Sequence, residues 1–115
     1  MVNEQERLDA IFGALADPTR RRILIALSHD PGKPVASLAK PFRISPPAIS
    51  RHLRVLEKAR LVDRRRRGRV HMIRAKPEGI GPARQWMQQY AEAWAFSFDT
   101  LDRLLAKESA KGEQT

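Results

Sequence analysis

Between Ile44 and Arg74 the chain reads ISPPAISRHLRVLEKARLVDRRRRGRVHMIR, and few local structures can accommodate that order of residues. A serine followed by two prolines is a helix start. The Ser45 hydroxyl can accept from a first-turn N–H, and Pro46 at the first helical position gives up only a donor that would lack a partner anyway. Pro47 is still tolerated in that turn. Ile49, Leu53 and Leu56 then recur at i, i+4 and i+7, which predicts one buried stripe on a helix running to about Ala59. Pro47, Ser50, Arg51, Arg54 and Lys58 share a different face, with His52 at the border. Beyond the helix, two strands are expected over Leu61–Arg65 and Val70–Ala75, around Arg66-Arg67-Gly68-Arg69, where Gly68 supplies a permissive backbone.

The flanking sequence is helical in pattern. Leu8, Ile11, Phe12 and Leu15 mark one face of a helix over about Asn3–Ala16. Asp17-Pro18 is a cap with proline at the first position, and opens a second helix to about Ser28 with Ile23, Leu24 and Leu27 inward. Arg20, Arg21 and Arg22 crowd its first turns and oppose the helix dipole, so they call for partners, either local carboxylates or phosphate. Asp30 to Pro34 reads as a turn cluster. Val35 to about Lys40 is a short third helix that Pro41 ends. After Pro77, Gly79, Gly81 and Pro82, a long last helix is expected over about Ala83–Lys107, with a polar tail at 108–115. The fold class is therefore mainly α with a small β-hairpin, in the order α-α-α-α-β-β-α. Residues 1–107 form one domain. Two short helices joined tightly, the second well capped and followed by a hairpin, make a winged helix-turn-helix.

The charge is concentrated on that unit. Of a formal net charge of +9 in 115 residues, residues 17–76 hold 17 Lys/Arg against 4 Asp/Glu, a local excess of +13. Polyanion-binding surfaces gather charge in this way, whereas solubility alone spreads it. Sixteen of the 22 cations are arginine, whose planar fork suits phosphate and guanine edges. A helix face of Ser50, Arg51 and Arg54 is suited to the major groove of double-stranded DNA. The hairpin places Arg64, Arg66, Arg67 and Arg69 near its tip, where they can reach phosphates or a minor groove. Strand alternation divides these arginines between two faces, so not all can serve together.

The segments ALADPTRRRIL (14–24), VASLAKPF (35–42), ISPPAISRHLRVLEKARLV (44–62) and RRRRGRVHMIRA (64–75) together resemble the ArsR/SmtB family of bacterial winged-helix repressors. The resemblance spans nearly the whole chain. It implies a homodimer on an inverted-repeat operator, with base-reading residues on the fourth helix at Ser45, Pro46, Ser50, Arg51 and His52. Many members of that family carry a polar residue, often Gln, where Pro46 stands here, which implies a different operator.

The resemblance also implies metal sites, and the residues for them are missing. There is no cysteine in the chain and no histidine in residues 77–115, while His29, His52 and His71 lie on separate elements. A zinc-type site needs three or four clustered donors, so neither a metal nor any other cofactor is expected. On the last helix Trp86, Tyr90, Trp94 and Phe98 recur at i+4, followed by Leu101 and Leu105. With Leu8, Ile11 and Phe12 this stripe is expected to form a symmetric dimer interface. An aromatic-lined pocket for an apolar effector is the alternative, and the sequence names no effector.

Other function classes have less support. No nucleophile–base pair, carboxylate dyad or phosphate-binding glycine loop is present, so an enzyme is not expected. A non-specific architectural nucleic-acid binder would need only the charge, and the ordered helix face argues against it. No apolar run reaches a membrane-spanning length of about 18 residues and the polar start MVNEQERLD is no signal peptide, so a cytoplasmic protein is expected.

Overall fold

The computed structural model describes residues 3–113. The elements are α1 (Glu4–Leu15), α2 (Pro18–Ser28), β1 (Lys33–Pro34), α3 (Val35–Ala39), a 3-10 turn Lys40–Phe42, α4 (Pro46–Lys58), β2 (Val62–Arg67), β3 (Val70–Ala75), a second 3-10 turn Pro77–Ile80, and α5 (Gly81–Glu113). The chain divides after Ala83 into two units.

In the first unit, α1 packs on α2 and α4, α3 packs on α4, and the sheet contacts α2, α3 and α4. The core is Ile11, Ile23, Leu27, Leu38, Ile49, Leu53, Leu56 and Ile73, all fully buried. Each of the first two helices starts on a side-chain cap. The Asn3 oxygen accepts from the Glu6 N–H at 2.8 Å and the Asp17 carboxylate from the Arg20 N–H at 3.0 Å.

The structure departs from the expected layout in four places. Lys33–Pro34, read as part of a turn cluster, forms a strand beside β3, giving the sheet order β1-β3-β2. Pro34 is tolerable there because β1 is an edge strand and a missing donor breaks no interior ladder. The hairpin loop is two residues rather than four: Arg67 pairs with Val70, leaving Gly68 and Arg69 as the turn. Gly68 has φ +59° while Arg69 is not left-handed, the arrangement of a type II′ turn, whose twist matches that of the strands. The last helix runs on to Glu113, through six residues expected to be tail. No Pro interrupts them, and extending an existing helix fixes one residue per hydrogen bond. Finally Ile11, expected at a dimer interface, is 0% exposed and belongs to the core of its own unit.

The end of α4 fixes where the hairpin begins. The Arg60 N–H donates to the Glu57 carbonyl and the Leu61 N–H to the Leu56 carbonyl, both at 3.0 Å. That is the Schellman pattern, and it requires the left-handed φ of +60° found at Arg60. The Arg60 carbonyl is in turn covered by Gly79, where an added Cβ would lie 1.7 Å from the oxygen. Gly79→Ala therefore forces backbone apart and is expected to cost about 3 kcal/mol. Arg60→Gly, which relieves the left-handed strain, is expected to gain up to about 1 kcal/mol. Equilibrium urea unfolding of both variants measures the two effects, and an unchanged Gly79→Ala midpoint contradicts the close approach.

Candidate nucleic-acid interface

The α4 helix is seated by Ile49, Leu53 and Leu56, and this determines what its other side presents. Arg51, Arg54 and Lys58 are exposed and Ser50 is half-buried, so they form the outward face expected from the spacing. Val55, partly exposed, adds an apolar group to that side. Ser45 caps the helix, its oxygen accepting from the Ala48 N–H at 3.3 Å. Pro46 and Pro47 are exposed at the leading end.

His52 faces away from that surface. Its Nδ1 lies 3.3 Å from Arg20 Nη1 and 3.9 Å from Asp17 Oδ2, so the ring is half-buried against the start of α2. Arg20 itself donates through Nε to the Ala14 carbonyl at 2.8 Å and through Nη2 to the Gly13 carbonyl at 3.0 Å. Arg21 donates to the Leu15 carbonyl at 2.6 Å. The arginines at the start of α2 thus satisfy the carbonyls left over at the end of α1, where a helix favours cations. Their partners are mainly main-chain carbonyls, rather than the carboxylates or phosphate expected from the dipole. The stretch ALADPTRR carries the signal for this, because cations six or seven residues beyond the last carbonyls of a helix can fold back onto them.

On the other flank of α4, the carboxylate of Glu57 is held by Arg64 of β2, with Nη2 at 2.7 Å and Nε at 2.8 Å. Arg64, expected to reach DNA, is half-buried and serves to join the hairpin to α4. Across the hairpin Asp63 opposes Arg74, which donates to it at 3.1 and 3.3 Å. Arg65, Arg66, Arg67 and Arg69 remain exposed toward the tip. Arg66 donates to the Gly68 carbonyl at 3.0 Å, which steadies the turn. Arg65, Arg66, Arg67 and Arg74, with Pro31, Gly32 and Met72, line an open groove of about 530 Å³. The hairpin tip is therefore an ordered, strongly cationic projection next to the α4 face.

In the second unit, the rings expected to line up along α5 do so. Trp86 stacks on Tyr90 at 5.2 Å, Tyr90 meets Trp94 edge-on at 5.8 Å, and Trp94 meets Phe98 at 5.4 Å. All four are about half exposed, as are Leu101, Leu104 and Leu105. Among the described residues no three His, Cys, Asp or Glu are grouped to hold a metal, and no helix is long and apolar enough to cross a membrane.

A helix presented outward by a tight helix pair, beside a cationic hairpin, defines a winged helix-turn-helix DNA-binding protein. Comparison with known proteins gives the family. A helix-turn-helix domain model matches residues 15–65. The HTH-type transcriptional regulator Rv2034 of Mycobacterium tuberculosis is 39% identical over 82 residues, covering 71% of this chain and 76% of that protein. The transcriptional repressor SdpR of Bacillus subtilis is 30% identical, covering 72% of this chain and 91% of the repressor. The crystal structure of the ArsR family transcriptional regulator RHA00566 superposes with a TM-score of 0.73 at 35% identity, over 83% of this chain and 97% of that one. A homodimeric winged helix-turn-helix domain from Mycobacterium bovis shares the fold at TM-score 0.62 and 24% identity, over 76% and 81% of the two chains. The chain belongs to the ArsR family of winged helix-turn-helix transcriptional regulators.

Asp17 gives the site a pH signature. The Arg20 N–H on its carboxylate holds it below the usual value; desolvation opposes this, and the charges of Arg20 and His52 reinforce it. A carboxyl with a depressed pKa stabilises the fold above its unfolded value, near pH 4, and that stability is lost as pH falls through the lower folded value. In Asp17→Asn the amide oxygen can still cap α2 but no longer titrates. Its thermal midpoint is expected to fall less steeply below about pH 4 than that of the wild type, as read by circular dichroism. Parallel acid limbs contradict the assignment.

Proposed function

We propose that this regulator is a sequence-specific repressor that binds an inverted-repeat operator as a homodimer in the cytoplasm, with half-sites about one helical turn apart. The observation that carries this reading is the outward face of α4, where exposed Arg51 and Arg54 flank a half-buried Ser50 on a helix clamped at both flanks. Ser50 can donate or accept at a base edge, and Arg51 and Arg54 can pair bidentately with guanine. Arg66, Arg67 and Arg69 supply phosphate affinity. His52 acts by positioning α4 and Arg64 by holding the hairpin, in place of the direct DNA contacts expected of them. Ser45, Pro46 and Pro47 form the end that enters the groove first. The similarity to SdpR, a repressor 30% identical over most of its length, supports the direction of control.

The α5 stripe supports the dimer. Four aromatic rings and several leucines left half-exposed along one helix are more apolar surface than an isolated chain ordinarily leaves in water. A second copy of the same helix covers it symmetrically. Trp86, Tyr90, Trp94, Phe98 and Leu101 form this proposed interface. Leu8 and Phe12 of α1 are further candidates, and the mycobacterial homodimer of the same fold is consistent with it. Metal release is not part of the proposal: the chain has no cysteine, and its three histidines lie on separate elements.

Selection of bound sites from a random duplex pool, with and without Zn²⁺, tests the reading. A palindromic operator unaffected by the metal is expected; a pool with no enriched sequence, or release by zinc, overturns it. On that operator, Arg51→Ala is expected to cost about 1–3 kcal/mol and to relax the preference at one base pair. Arg67→Ala is expected to weaken all duplexes alike. Titrations against operator and scrambled DNA distinguish the two. Trp94→Glu places a charge within the stripe, and sedimentation is expected to show a folded monomer.

A further inference from the structure

The start of α4 lacks what helix starts ordinarily offer a phosphate. The first turn of a helix usually presents unpaired N–H groups and the positive end of the dipole, a ready anion site. Here Pro46 and Pro47 occupy the first two positions and carry no N–H. The third N–H, of Ala48, is taken by the Ser45 hydroxyl, and that of Ile49 by the Ser45 carbonyl at 3.0 Å. Beyond the N–H of the cap residue itself, no backbone donor remains in that turn for a strand passing over it.

Cations stand immediately before it. Arg43, two residues ahead of the cap, is exposed and has φ +52°, a left-handed backbone that costs a non-glycine residue about 1 kcal/mol. Its N–H closes the 3-10 turn on the Lys40 carbonyl. Lys40 is likewise exposed. Arg22 reaches the same turn from α2, its guanidinium 5.4 Å from the centre of the Phe42 ring. Among the described residues none of the three forms an ion pair, whereas Arg64 and Arg74 of the hairpin do.

We propose that Arg43 and Lys40, with Arg22 beside them, form a second DNA-backbone site on the α3–α4 turn, replacing the main-chain donors that the two prolines remove. This rests on the operator-binding reading. Two residues of chain span at most about 7 Å, so Arg43 lies within side-chain reach of a phosphate bordering the groove that α4 enters. The site carries no base preference of its own. It fixes how far the helix advances, while the hairpin tip holds the backbone elsewhere.

The test uses the full chain, the selected operator and a scrambled duplex, across a salt series. Arg43→Gly removes the charge and suits the left-handed backbone, so the variant is expected to melt no lower than wild type. It is expected to bind both duplexes about 3–10-fold more weakly. Its log–log salt slope should be shallower by about 0.9 for each phosphate that is no longer neutralised. Lys40→Ala should act in the same direction, and Arg43→Lys should retain most of the affinity. An unchanged salt slope in Arg43→Gly, or weakening confined to the operator, overturns the proposal. Failure of the parent reading looks different: Arg51→Ala then binds the operator as wild type does, while the Arg43 slopes still decide the turn.

Discussion

The seating of α4 is the constraint on which the other features rely. Ile49, Leu53 and Leu56 bury one stripe of it, and full burial of side chains of this size contributes about 1.5–3 kcal/mol each. Hydrophobic contact fixes which stripe points inward but leaves some freedom to rotate and slide. Two polar contacts on opposite flanks restrict that freedom. On one side His52 accepts from Arg20, which is itself anchored on the carbonyls of Gly13 and Ala14. On the other, Glu57 holds Arg64 of the hairpin. Neither contact is buried enough to add much stability, and their value lies in orientation. On the proposed function, a helix that presents two guanidinium groups to particular base edges gains more from fixed geometry than from added stability.

The same contacts sort the arginines. A basic surface of this density reads at first as generic attraction to a polyanion, but the structure gives its members different duties. Arg20 and Arg21 complete the end of α1, Arg64 and Arg74 hold the hairpin, and Arg51 and Arg54 are left outward. The hairpin tip keeps Arg65, Arg67 and Arg69 exposed on a two-residue turn that only a residue tolerant of positive φ can begin. On the proposed function, electrostatic affinity and sequence discrimination fall to separate parts of one small unit.

The α5 helix poses a different physical problem. Its rings stack on one another along the helix, yet about half of each ring's surface stays accessible. Stacking within one helix recovers only part of the apolar burial that such side chains can provide. On the proposed function a partner surface completes that burial, and symmetry supplies one without a second gene product. The sequence shows the i+4 recurrence plainly. It says nothing of how much surface a folded chain leaves uncovered.

The order of residues is enough to place the helices to within a few residues at most ends, the caps at Asp17 and Ser45, the strand pair and the outward face of α4. These follow from periods of 3.6 and 2 and from the local chemistry of Ser45, Asp17, Pro46 and Gly68. The same patterns place Arg51, Arg54 and the hairpin tip where the structure has them. They miss β1, since two residues carry no period and Lys33–Pro34 is a strand only because β3 lies beside it. They also mislead about the availability of Ile11, His52 and Arg64. Each lies at a position whose spacing allows an outward role, and each is engaged by a residue between 7 and 32 positions away or by the core. Local pattern shows which way a side chain can point. Whether something meets it there is settled by tertiary packing, because burial and charge pairing depend on distances between segments that no local window contains.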